Sequence, residues 1–398
     1  MQAHVPTTDA HVAGLPAAWG GVFALALGAF ALVASEFMPV SLLTSIASDL
    51  HVTEGQAGQS IAVSGAFALV TSLFLSSVAG RLDRKILLLA LTLLMIVSGT
   101  IAAFAPDYTV FMIGRAFIGV AIGGFWSMSA ATAIRLVPRD DVPRALAIVN
   151  GGNALATVLA APLGSFLGSI MGWRGAFFCL IPVAVLAFGW KMFSLPAMPA
   201  AARQGRANPF TLLTRPPVVL GMLAVAVFFM GQFALFTYLR PFLETVTHVG
   251  ATMMSGMLLI IGVAGFIGTV LIGGLLNNHL YRTLIIIPLL MAAVAGALIA
   301  FGSSVGLTAV LLAVWGLVGT AAPVGWWTWL AQTLPDDAEA GGGLVVAAVQ
   351  LAIASGAAIG GVLFDGFGYQ ATFTASAVTL LVAAALAMAA ARAARQGH

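Results

Sequence analysis

The chain has 398 residues, 61% of them hydrophobic and only 7% charged, with a formal net charge of +3. A water-facing surface needs several times that share of charge, which excludes a soluble globule, and no alternating pattern supports a membrane β-barrel. Its basic residues stand singly between apolar runs, a placement that reports membrane orientation rather than nucleic-acid binding.

The first eighteen residues hold no Lys or Arg and no small-residue cleavage pattern, so the first span is expected to stay as an anchor rather than leave with a signal peptide. One crossing takes about 20 apolar helical residues. Runs of that kind occur at 20–43, 57–79, 86–105, 109–134, 145–170 and 175–193, and again at 217–239, 251–276, 283–302, 305–331, 341–364 and 369–391. The expected fold is an all-α polytopic membrane protein of twelve transmembrane helices in two six-helix pseudo-repeats. An N-terminal bundle takes 1–193, a cytoplasmic linker rich in Pro, Ala and Arg takes 194–216, and a C-terminal bundle takes 217–398.

With the N-terminus inside, the cytoplasmic side collects Arg81, Arg84, Lys85, Arg135, Arg139, Arg144, Lys191, Arg203, Arg206, Arg215, Arg282, Arg392 and Arg395, leaving Arg174 and Arg240 outside. That asymmetry predicts two cytoplasmic termini. The halves also repeat. Residues 160–177 and 356–373, displaced by 196, align Gly164, Gly172 and Phe177 with Gly360, Gly368 and Phe373. Repeats of this sort rock about a shared central site in transporters.

Glu36 lies inside the first span with no Lys or Arg within helical reach. A carboxylate there costs at least a few kcal/mol, and a buried acid of this kind is what a proton-coupled carrier requires; a hydrogen-bonded structural Glu is the alternative. Arg115, Gly119 and Gly123 recur every fourth residue on one face of the fourth span. The glycines permit close packing, and the arginine reads either as a coupling partner for Glu36 or as a structural group tied to carbonyls. In the loop after the second span, Gly80, Asp83 and Arg84 can lock or release helix ends through charge pairs, or simply anchor the loop at the headgroups. Pro162 and Gly164 can bend the fifth span and bring another close.

Stacking faces and amides suited to a planar, hydrogen-bonding solute come from Trp126, Asn150, Asn153, Gln232, Phe236, Trp326, Trp327 and Gln350. Interface belts and helix-bridging amides use the same residue types. The sequence has no phosphate-binding lysine loop, metal-ligand cluster or nucleophile elbow, and its single Cys179 has no partner. No enzyme activity, cofactor or metal is expected; the proton gradient is the energy source.

At Glu36, Arg115 and the Pro162–Gly164 segment the sequence resembles the major facilitator superfamily, in its drug:proton antiporter branch. GRLDRK looks like a contracted form of that superfamily's loop motif, and AAPLGSFLG has Ala161 where a glycine is usual; both departures argue against broad drug export. EFMPVSLLTSIASDL, IGRAFIGVAIGGFWSMSA, LVPRDDVPRAL, TYLRP, PVGWWTWL and GAAIGG, in that order, resemble the bacterial purine ribonucleoside efflux pumps. The resemblance implies a monomeric inner-membrane exporter that exchanges inosine or guanosine for protons, with Glu36 the proton carrier and Arg115 its coupling partner. Sugar or drug efflux by the same fold, and a solute sensor built on it, are the other readings.

Overall fold

Within the hydrocarbon of a bilayer a segment must close its own backbone hydrogen bonds, and the apolar runs of this chain become helices. The computed structural model describes residues 17–78, 82–199, 209–334 and 338–396. In chain order the helices are α1 (Trp19–Asp49), α2 (Glu54–Val78), α3 (Arg84–Phe104), α4 (Tyr108–Leu136), α5 (Val142–Ser194), α6 (Pro216–Thr237), α7 (Leu239–Thr245), α8 (Ala251–Phe301), α9 (Val305–Gly319), α10 (Ala322–Thr333) and α11 (Ala338–Gln396). Gly80 and Arg81 of the loop motif, and residues 200–208 of the linker with Arg203 and Arg206, lie outside the described residues.

Among the described residues, ten segments are long and apolar enough to cross a membrane. Two of them, Arg144–Ser194 and Gly341–Arg395, run to 51 and 55 residues, more than twice what one crossing takes. Each divides at a single glycine: Gly172 (φ 73°, ψ 169°) in α5 and Gly368 (φ 78°, ψ −177°) in α11. Counted as two crossings each, they bring the number to twelve. The two breaks stand 196 residues apart, the displacement of the sequence repeat. His51 (φ 54°) and His248 (φ 57°) add a second matched pair, turning the chain just before α2 and just before α8. The connection expected at 277–282 is reduced to a break at His279 (φ −139°, ψ 36°), where α8 divides into two helices.

The linker is tied to both halves. Leu195 and Met198 are buried in the core of the N-terminal half, and Leu212 in that of the C-terminal half. Asp83 does not enter an ion pair among the described residues. It caps α3, with Oδ1 accepting from Lys85 N at 2.7 Å, while Oδ2 accepts from Met198 N at 2.9 Å.

The halves meet from mid-bundle to the end away from the linker. Arg240 of α7 donates to Ser41 O and to Thr44 Oγ1 on α1, and its own Glu244 holds it from behind at 2.8 Å. Asp365 of α11 accepts from Thr53 Oγ1 at 2.5 Å and Gly55 N at 2.9 Å, so it caps α2 from across the interface. Tyr238 Oη donates to Ala357 O at 2.7 Å and reaches Gly55 O at 3.5 Å. Pro162 leaves the Val158 carbonyl without a helical donor, and Gly262 of α8 packs on that carbonyl where a side chain would collide. Toward the linker end, among the described residues, the core built on Val22, Leu25, Leu32, Leu91 and Phe125 contains no residue of the C-terminal half. The polar contacts of Arg240, Asp365 and Tyr238 close the molecule at the far end.

Both break glycines sit in a region of backbone space that other residues enter at a cost of about 1–3 kcal/mol. Gly172→Ala and Gly368→Ala should each lower the melting temperature of detergent-purified protein, whereas Gly366→Ala, where an added Cβ meets nothing within 4 Å, should leave it nearly unchanged.

Candidate functional site at the interface between the halves

Helix α1 carries Pro39 in its interior. Proline has no N–H for the carbonyl four residues back, here that of Ser35. Arg115 of α4, 1% exposed, fills the gap. Its Nη1 donates to Ser35 O at 2.8 Å, Nη2 to Glu36 O at 3.0 Å and Ser64 Oγ at 3.2 Å, and Nε to Ser60 O at 3.2 Å. One guanidinium thus joins α1, α2 and α4. Gly119 and Gly123 permit this, since a Cβ at either would press on the backbone of Ser64 or Ala68 in α2. Of the two sequence readings of Arg115, the geometry shows the carbonyl-bound one, and among the described residues no ion pair joins its side chain to that of Glu36.

The Glu36 side chain, 4% exposed, lies beside the Gln350 side chain of α11 and feels the Arg115 charge nearby. This approach crosses between the halves. Beside it Phe37 stacks on Phe233 of α6, with centroids 5.5 Å apart and planes 24° apart, and Phe236 meets Phe233 edge-on at 6.0 Å. Trp126 of α4 packs in the same small cluster as Phe37, with Val33, Ala34 and Ala160. Gln232, half-buried, keeps its Oε1 without a donor, as does Gln350. Buried acceptors are rarely left so. Glu36, Gln350, Phe37, Phe233 and Phe236 therefore lie where the halves meet, with Trp126 packed beside Phe37 and Arg115 behind Glu36, whereas Gln232 sits beside Gly319 and Met291 within the C-terminal half. Gly164 of α5 lies against Ser41 and Met38, where a side chain would collide, and so closes α5 onto α1.

The other predicted residues are elsewhere. Trp326 is buried in the core of the C-terminal half, edge-on to Trp329 at 6.1 Å, and Trp327 is 46% exposed. Asn150 is exposed and donates to Leu146 O of its own helix at 2.9 Å. Asn153, half-buried, accepts on its backbone carbonyl from Thr157 at 3.0 Å. Arg84 points its Nη1 toward Met128 Sδ at 3.5 Å.

Residue type alone gave no sign of Phe37 and Phe233, or of Ser35, Ser60 and Ser64, which act mainly through carbonyls. Lys191, grouped from sequence with the basic residues of the cytoplasmic side, is buried, 1% exposed. Its Nζ donates to Thr92 Oγ1 at 2.9 Å and sits 5.2 Å from the centre of the Phe125 ring. Gly28 leaves the space it occupies. Among the described residues no group of His, Cys, Asp and Glu could hold a metal ion.

Compared with known proteins, the chain matches the family model described as Major Facilitator Superfamily over residues 25–341. It is 64% identical over 378 residues to the transcription regulatory protein OpdE of Pseudomonas aeruginosa, covering 94% of each chain. It is 41% identical over 366 residues to the purine ribonucleoside efflux pump NepI of Salmonella enteritidis, covering 92% of each. In fold it is similar to the crystal structure of a bacterial homologue of the human lysosomal transporter Spinster, in an inward-facing and unoccupied conformation. The TM-score is 0.77 at 14% identity, over 96% of this chain and 98% of that one.

If Pro39 creates the carbonyl that Arg115 satisfies, the two residues are energetically coupled. Arg115→Lys, which forfeits about two charge-assisted bonds, should cost about 3 kcal/mol in the wild type. In a Pro39→Ala background, where residue 39 regains its N–H for Ser35, the cost should fall by about 1 kcal/mol, measured by a double-mutant cycle of unfolding in mixed micelles.

Proposed function

The chain belongs to the major facilitator superfamily of membrane transporters, and we propose that it is a proton-coupled antiporter that exports purine ribonucleosides such as inosine and guanosine by alternating access. The observation that carries the proposal is the Glu36–Gln350 contact: a buried carboxyl of one half meets an amide of the other at the interface. A group so placed changes its surroundings whenever the halves rock. Proton exchange at Glu36 and movement of the halves are then one event.

The surroundings suit the solute class named for the Salmonella relative. A purine base is planar and carries both donors and acceptors on its edge. Phe37, Phe233, Phe236 and Trp126 supply ring faces, and the free Oε1 of Gln350 accepts from a ring N–H group. Arg115 acts as a positioning residue, holding the backbone of Ser35 and Glu36 so that the carboxyl stays aimed at the interface. With both termini cytoplasmic in the inner membrane, as the distribution of Arg and Lys supports, the linker end is cytoplasmic and the closed far end faces outward. The solute enters from the cytoplasm, Glu36 gives up its proton there, and outward opening breaks the Arg240 and Asp365 contacts with α1 and α2. At a proton-motive force of roughly 150 mV, one proton supplies about 3.5 kcal/mol, enough for an approximately 300-fold gradient of a neutral solute. The protein works as a monomer, with no cofactor.

A second reading is favoured by one finding: the relative at 64% identity is named as a transcription regulatory protein. An exporter alters transcription when it removes an inducer from the cytoplasm, so the two relatives' names fit a single transport activity. A sensor, by contrast, would bind the solute and leave it where it is.

Inverted membrane vesicles energised with a proton gradient should accumulate radiolabelled inosine. Accumulation should disappear with an uncoupler and in Glu36→Gln, and fall at least several-fold in Gln350→Leu. Uphill accumulation by Glu36→Gln would overturn proton carriage by this residue. Binding without accumulation would favour the sensor, and no response to inosine by folded protein would turn the substrate toward sugars or drugs.

A further inference from the structure

The cations of this chain are mostly answered. Arg115 has its carbonyls, Arg174 pairs with Asp49, Arg240 with Glu244, Arg135 reaches Pro199 O and Arg144 lies over the Trp19 ring. Arg282, Arg392 and Arg395 differ. They line one cleft of about 670 Å³ at the linker end of the C-terminal half, together with His279, and among the described residues no Asp or Glu lines it. Among the described residues none of the three arginines has an acidic partner; Arg392 has only the sulfur of Met388, at 3.6 Å.

The fold makes this convergence. The break of α8 at His279 turns the chain so that Arg282, three residues on, faces the last turns of α11. There Arg392 and Arg395 stand three apart, hence on one helix face. Attraction of single cations to lipid headgroups explains why basic residues lie at this end. It does not explain three guanidinium groups and an imidazole around one concavity. Guanidinium forks match the oxygens of a phosphate, and Tyr281 and Gln332 add neutral donors to the same lining.

The rest of the cleft is apolar, including Leu280, Ile285 and Met388. Exposed apolar residues follow on the same two helices: Ile286 and Leu290 on α8, and Leu381 and Val382 on α11. A free phosphate has no use for that surface. Acyl chains do, and basic pockets between helices on the cytoplasmic side of a membrane suit anionic lipid headgroups.

We propose that this cleft binds the phosphate of an anionic phospholipid, whose acyl chains lie along the exposed face of α8 and α11. The lipid would bridge the second limb of α8 to the end of α11, separate from the interface site around Glu36.

The test uses the full chain purified in an uncharged detergent, with cardiolipin, phosphatidylglycerol, phosphatidylethanolamine or inorganic phosphate added, read by native mass spectrometry and by melting temperature. The expected result is retention of cardiolipin or phosphatidylglycerol with a raised melting temperature, and no response to phosphatidylethanolamine or phosphate alone. Replacing Arg282, Arg392 and Arg395 together by Gln should weaken lipid binding about a hundredfold, and Arg395→Glu alone should weaken it clearly, while Arg135→Gln at the same end binds as the wild type. Equal binding by the triple variant or by Arg395→Glu would overturn the site. A response to inorganic phosphate matching that to lipid would overturn the lipid assignment in favour of a soluble phosphate, and retention of no anionic lipid by the wild type would overturn both.

Discussion

A guanidinium cannot lie unpartnered inside a helical bundle, and the way Arg115 is satisfied governs the arrangement of the N-terminal half. Its partners are mainly carbonyls, and helical carbonyls are ordinarily occupied. Pro39 makes one available by withholding an N–H from Ser35, and the arginine takes it along with acceptors from Glu36, Ser60 and Ser64. The glycine face of α4 then has to lie directly on α2, as Gly119 and Gly123 allow. With α1 held on both sides of Ser35 and Glu36, the Glu36 carboxyl is left facing the one direction not filled by its own bundle, toward Gln350.

The interface follows the same economy. Where the halves touch, the C-terminal core takes in Val40, Ile61 and Ala161 of the N-terminal half, and polar groups of one half close backbone groups of the other: Asp365 caps α2, Arg240 reaches Ser41 O, and Tyr238 bridges Gly55 and Ala357. Such bonds can be exchanged for water when the far end opens, which a continuous apolar seam could not do at similar cost. The buried Glu36–Gln350 contact lies deeper. On the proposed antiport cycle, that depth separates the gate from the proton site while keeping both on the same moving surface.

Much of the fold was legible in the sequence because the bilayer imposes length and polarity on every crossing. The apolar runs correspond to the helices, and the repeat at displacement 196 reappears as the break glycines Gly172 and Gly368. Glu36 and Arg115 stood out because charge in an apolar run is rare. What stayed hidden depended on backbone or on contact. Carbonyl partners carry no residue signature, so the setting of Arg115 could not be chosen from two alternatives. The burial of Lys191 left no mark in the sequence because it rests on a gap at Gly28 and a ring at Phe125, both on other helices. Trp326 resembled a stacking residue, yet in α10 it faces the core. Asp83 sat among bases and still serves backbone N–H groups rather than a charge.

The central claim is that solute and proton answer to the same carboxyl. The most direct measurement is proton release on adding inosine to purified protein in weakly buffered detergent solution, followed with a pH indicator. The account predicts release in the wild type, saturating with inosine binding, and none in Glu36→Gln protein that still binds inosine. Equal release from both proteins would contradict it.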